Sequence, residues 1–210
     1  TIQNIRVLSL FNCQGNGTIY NMSNIETLDL SNCNAIEGIS NCPRLTRLNV
    51  YHCANIRDIS SLTNLMNLRV EGCPQLTIQE NTLQSVQYLW LGDETETFPS
   101  HNMSSFKRLK HLSIMNKDVV LDDLWQLDDL LSLEFKACKS IKVTRFPKNL
   151  KVLVFWESNH VSPIDFTQMP HLSFLAYGKS PISQYVIDLP QPLKPVWFND
   201  CSNLNTIYVR

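Results

Sequence analysis

An excess of charge of either sign is missing from this sequence. Its 210 residues carry 18 Lys and Arg against 19 Asp and Glu, which is unlike the basic surplus of a dedicated nucleic-acid binder. No run of about 18 apolar residues occurs, so no segment reads as a membrane-spanning helix. Six glycines and ten prolines are too few for a collagen-like or low-complexity chain. No Met opens the sequence and no charged-then-apolar leader is visible. The chain starts at Thr1 on a strand-like segment and is read as a piece of a longer protein. Catalytic signatures are missing as well. There is no G-x-S-x-G, no P-loop, no G-x-G-x-x-G and no H-E-x-x-H. His52, His101, His111, His160 and His171 have no Ser or Cys partner at a motif spacing. The expectation is a non-enzymatic chain with no cofactor and no bound metal.

Seven cysteines are present, and none forms a C-x-x-C pair. Cys13, Cys33, Cys53 and Cys73 fall 20 residues apart. A disulfide framework rarely keeps one fixed period, whereas a repeated structural position does. Aligned on them, the pattern L-x-x-L-x-L-x-x-C returns. Its copies are Ile5-Leu8-Leu10-Cys13, Ile25-Leu28-Leu30-Cys33, Leu45-Leu48-Val50-Cys53 and Leu65-Leu68-Val70-Cys73. Val86-Leu89-Leu91 and Leu109-Leu112-Ile114 continue it without the cysteine, and Leu130-Leu133-Phe135-Cys138 restores it. Leu150-Leu153-Phe155 and Leu172-Leu175-Tyr177 lose it again, and Leu193-Val196-Phe198-Cys201 is the tenth copy.

Alternation of apolar and polar residues in L-x-L makes each copy a half-buried strand. One short strand per copy cannot bury its apolar face alone, so successive copies stack into a parallel sheet over a continuous core. Ile36, Ile39, Ile56, Ile59 and Leu62 line a return side made of short 3-10 or extended pieces. Between Asp118 and Leu131, the spacing of Leu121, Leu124 and Leu127 predicts a helical turn or two, with Asp118 as N-cap. The fold class expected is α/β, mostly β: one right-handed solenoid domain over residues 1–210. The six in-register cysteines form a buried ladder, and Cys42, out of register, lines the return side. Buried free thiols favour a reducing compartment, hence an intracellular, cytoplasmic or nuclear location. Against that stand three N-x-S/T sequons at Asn16, Asn21 and Asn102. The acidic residues Asp118, Asp122, Asp123, Asp128 and Asp129 read as a solvated convex face.

The pattern resembles that of leucine-rich-repeat proteins, from about Ile5 to Val209, with Cys13, Cys33, Cys53, Cys73, Cys138 and Cys201 at the N/C position of the repeat signature. Repeats with cysteine there resemble those of F-box receptors of ubiquitin ligases. The stretch Asn55 to Leu65 resembles bacterial internalin repeats, and the irregular later copies resemble plant immune-receptor repeats. The resemblance implies a concave sheet face that binds a protein. The residues expected to do so are Arg47, Tyr51, Arg69, Tyr88, Trp90, His111, Met115, Val154, Trp156, Phe174 and Trp197. Trp, Tyr and Arg are frequent anchors of protein interfaces. An upstream domain of the same chain is expected to cover the N-terminal edge. The first function expected is a substrate-recognition or adaptor segment of a ubiquitin ligase. The alternatives are the sensor region of an intracellular immune receptor and a secreted or surface adhesion module. Copies five, six, eight and nine lack the N/C residue, so their turns are expected to be held differently.

Overall fold

The computed structural model describes residues 4–92, 105–159, 164–182, 184–187 and 196–209. His101, Asn102, His160, Leu193 and the three residues at the start lie outside them. Two compact units make up the chain, Thr1–Pro99 with Ser105–Leu109, and Ser100–Ser104 with Lys110–Arg210.

In the first unit, β1 (Val7–Ser9), β3 (Thr27–Asp29), β5 (Arg47–Tyr51), β6 (Asn67–Glu71) and β7 (Tyr88–Leu91) are the L-x-L segments. They pair in parallel and in the register that the repeat predicts: Val7 with Thr27, Thr27 with Arg47, Arg47 with Asn67, Asn67 with Tyr88. Opposite them, β2 (Gly17–Tyr20) pairs in parallel with β4 (Ile36–Ser40). Single bridges from Gly38 to Asp58 and from Asp58 to Thr77 carry that second layer onward. A one-turn helix, α1 (Glu80–Leu83), follows Thr77 in the fourth copy. Between the layers Leu28, Leu30, Leu48, Val50, Leu68 and Val70 meet Ile39, Ile56, Ile59 and Leu62, all buried. Each such side chain contributes about 1.5–3 kcal/mol on burial. The first copy has a neighbour on one side only, and Ile5, Leu8 and Leu10 are half-buried.

The second unit repeats the plan. Its sheet is β8 (His111–Met115), β10 (Ser132–Lys136), β12 (Val152–Trp156), β13 (Phe174–Gly178) and β15 (Val196–Asn199), with β9 (Val119–Leu121), β11 (Ile141–Val143), β14 (Gln184–Ile187) and β16 (Thr206–Val209) as the remaining strands. All pairs are parallel. Aromatic residues replace leucine at one core position. Phe135, Phe155, Tyr177 and Phe198 stack in sequence, with ring centroids 5.5, 5.0 and 5.7 Å apart. The expected helix after Asp118 is corrected. Residues 119–121 pair with Ile141–Val143 as a strand, and helical structure is limited to a 3-10 turn, Leu124–Gln126, preceded by Asp123. Asp118 therefore caps nothing. Leu121, Leu124 and Leu127 are nonetheless all buried, Leu121 from the strand and Leu124 from the 3-10 turn.

Candidate functional site

The sheet strands whose turns are described end in the same way. The residue before the N/C position has positive φ at Asn12, Asn32, His52, Gly72, Asn116, Ala137, Glu157, Lys179 and Asp200. That conformation is comfortable for Gly and tolerable for Asn, and is costly for Ala, Glu or Lys. What holds it is the next side chain. The Cys33 thiol donates to the Leu10 carbonyl at 2.9 Å, Cys53 to Leu30 at 2.7 Å and Cys73 to Val50 at 2.7 Å. Cys138 reaches Ile114 and Cys201 reaches Tyr177, both at 3.4 Å. Each thiol thus satisfies a carbonyl of the preceding copy. Cys13, in the first copy, turns to its own Phe11 carbonyl at 3.8 Å. Burial pushes the Cys53 thiol up to about 12 and the Cys73 thiol up to about 11, and raises Cys33, Cys42 and Cys138. Cys42 lies buried on the return side, its thiol 3.4 Å from the Ser40 carbonyl. No disulfide joins any of the seven.

Two members of the ladder were missed in the sequence. Ser158 and Ser180 occupy the N/C position of copies eight and nine and are buried. Ser180 donates to the Phe155 carbonyl at 3.3 Å, the same bond that cysteine makes elsewhere. Ser158 donates to its own Trp156 carbonyl at 2.8 Å and accepts from the Cys138 N–H at 3.0 Å. The signal was present: Phe155-x-x-Ser158 and Tyr177-x-x-Ser180 keep the spacing of L-x-x-C.

The outer faces of the two sheets carry the residues singled out for binding, each at the strand position expected. In the first unit Asp29, Asn49, Arg69 and Trp90 stand in one row across four strands. The Asp29 carboxylate accepts the Ser31 N–H at 3.0 Å and its hydroxyl at 2.6 Å. Burial acts to raise its pKa, yet the Ser31 bonds, Asn49 and Arg69 together hold it below the usual carboxylate range. Arg69 pairs with Glu71 at 3.3 Å, and its guanidinium lies 4.9 Å from the Tyr51 ring centroid. Glu71 is only 7% exposed; the ion pair is what makes that burial tolerable. Tyr88 and Trp90 stack with centroids 6.3 Å apart.

In the second unit His111, Ser132, Val152 and Phe174 form one row, and Ser113, Glu134, Val154, Ala176 and Trp197 the next. Phe174 and Trp197 have centroids 6.3 Å apart, and Trp197 is 58% exposed. Val152, Val154, Trp156 and Phe174 are half-buried. Met115 corrects the expectation of an exposed contact: it is buried, at 9%. Trp156 lies down over Gly178, and the Lys179 ammonium sits 5.9 Å from its ring centroid. A Cβ on Gly178 would fall 2.1 Å from the Trp156 ring. Burial lowers the His111 pKa against the opposing pull of Glu134. Trp125, off this face, is 44% exposed and stacks under Arg145 at 5.3 Å. Among the described residues no group of three or more His, Cys, Asp or Glu is placed to hold a metal ion, and no helix is long and apolar enough to cross a membrane.

No family model matches the chain, and no curated protein sequence matches it. Solved structures do. Internalin C2 from Listeria monocytogenes is 18% identical, with a TM-score of 0.51, covering 80% of this chain and 78% of that one. The functional domain of InlJ from Listeria monocytogenes, described as including a cysteine ladder, is 14% identical, with a TM-score of 0.49 over 87% of this chain. The chain spans 50% of the length of that InlJ structure. InlF from the same species is 16% identical, with a TM-score of 0.48, covering 100% of this chain and 83% of that one. The parallel strands, the sparse helix and the likeness to internalin C2 place the fold among leucine-rich-repeat solenoids.

Proposed function

We propose that the chain is a non-catalytic binding module that holds a protein partner on the outer face of its second-unit sheet. One observation carries this reading. Val152, Val154, Trp156, Phe174 and Trp197 share that face on adjacent strands, with Trp197 largely exposed. A contiguous aromatic and aliphatic patch of this kind is characteristic of an interface. The side chains are fixed by parallel strands paired in register, so little ordering entropy is lost on binding.

The setting that fits best is secreted or surface adhesion. The ubiquitin-ligase adaptor reading has no support from the neighbours, which are internalins. The argument for a reducing compartment also weakens. Cys33, Cys53, Cys73 and Cys138 are buried, which pushes their pKa up, and a thiol without thiolate character reacts slowly with oxidants. An upstream segment covering the half-buried first copy remains part of the proposal.

The test is affinity capture from cell-surface and soluble protein fractions, run with the wild-type chain and with Phe174→Ala/Trp197→Ala. Both positions are at the surface, so circular dichroism of the variant is expected to match wild type. The proposal predicts a partner from the surface fraction that the variant loses. A partner retained undiminished by the variant would place binding elsewhere.

A further inference from the structure

The first-unit sheet carries a second, chemically different feature. Thr27, Asp29, Arg47, Asn49, Arg69 and Trp90 surround an open depression of about 290 Å³. That is close to the lower end, about 300 Å³, of small-molecule sites. Its charges balance: Arg47 and Arg69 face Asp29 and the Glu71 carboxylate that pairs with Arg69. The polar groups are held from behind. Ser31 fixes Asp29 and accepts from Asn49 Nδ2 at 3.0 Å, while Glu71 and Tyr51 fix Arg69. Two atoms of this row are left over. Asn49 Oδ1, an acceptor, and Arg69 Nε, a donor, are buried with no hydrogen-bond partner. An unmatched buried polar atom is destabilising, so the pair is a standing demand for a group that both donates and accepts.

We propose that this depression binds a neutral saccharide unit. Charge balance disfavours an anion or a cation as the main ligand. A hydroxyl donates and accepts, which are the two functions that Asn49 Oδ1 and Arg69 Nε lack. Neighbouring hydroxyls of a ring match the other planar groups: Asp29 accepts, the Arg47 guanidinium donates, and Asn67 does both. The C–H face of a pyranose packs on an indole, and Trp90 supplies that surface at one end, extended by the stacked Tyr88. The shallow, open form suits a residue at the end of a glycan rather than an enclosed metabolite. This inference stands apart from the protein-binding reading, which rests on the second unit.

The experiment titrates the full chain with the methyl glycosides of glucose, galactose, mannose and N-acetylglucosamine. It follows the Trp indole N–H and Arg Nε–H signals by nuclear magnetic resonance. At least one glycoside is expected to shift the Trp90 and Arg69 signals saturably. Trp90→Ala should weaken that binding by about tenfold or more. Arg47→Ala should weaken it too, and it keeps the test open if Trp90→Ala disturbs the fold, because Arg47 is exposed and makes no ion pair among the described residues. Trp197→Ala should leave it unchanged. Absence of any shift at millimolar glycoside overturns the proposal. So does a shift that survives both Trp90→Ala and Arg47→Ala.

Discussion

A thiol at the N/C position does the work of an amide in this chain, and its hydrogen bond crosses from one copy to the one before. Cys53→Ala leaves the Leu30 carbonyl without its donor and is expected to cost about 1–3 kcal/mol. Cys53→Ser keeps a donor and should recover most of that, as Ser180 already does in copy nine; chemical denaturation measures both. The sign of the pH effect follows from the same burial. A thiol raised from 9.0 to about 12 stays protonated when folded, whereas the unfolded chain releases its proton near the ordinary value. Stability is therefore full below about pH 9 and falls as pH rises toward 12, by at most about 1.4 kcal/mol per pH unit per thiol. Cys53→Ser should show a shallower decline over that window, and a slope equal to wild type would contradict the burial account. Gly72 is the other telling residue. Its φ is 63°, and a Cβ there would sit 2.1 Å from His52 Nδ1. Gly72→Ala should cost about 1–3 kcal/mol from the backbone alone, and pairing it with His52→Ala should relieve only the steric part.

At the scale of the element, the strands were legible and the returns were not. Alternation fixed which residues of Arg47–Tyr51 and Val152–Trp156 point inward, because a one-residue slip would put Leu48 and Leu153 in water. The strand register came through in every pair, including the irregular later copies. Return segments have no such constraint. A threefold leucine spacing after Asp118 was compatible with a helix, and the parallel pairing of β9 with β11 decided for a strand and a 3-10 turn. The buried serines escaped because the template admitted only Asn or Cys, although any small donor reaches the same carbonyl. The site was legible as a set of positions and not as exposures. Trp156 was expected to stand in solvent, and it lies on Gly178 instead. Gly178→Ala should therefore lift the indole from the sheet, with a red-shifted Trp emission and increased quenching by acrylamide. Unchanged emission would mean that the ring does not depend on that missing Cβ.

Across the molecule, stacked copies within each unit bury their core against their neighbours, so stability is expected to follow nearest-neighbour terms rather than one global nucleus. That arrangement frees the outer faces from structural duty, and their composition then reports function. Fold follows from the period of the leucines alone. Function does not, since many binding activities share one fold. Compartment does not follow from the fold either, since a buried protonated thiol is compatible with more than one redox setting. What the faces carry differs between the units: balanced polar groups around Trp90 in the first, and an apolar strip ending at Trp197 in the second. The claim on which the account turns is that the second-unit sheet face holds the protein partner. Hydrogen–deuterium exchange of the captured complex tests it most directly. The account predicts slowed exchange at the margins of Val152–Trp156, Phe174–Gly178 and Val196–Asn199 on binding, with the return strands Val119–Leu121 and Ile141–Val143 unchanged. Protection confined to those return strands would contradict it.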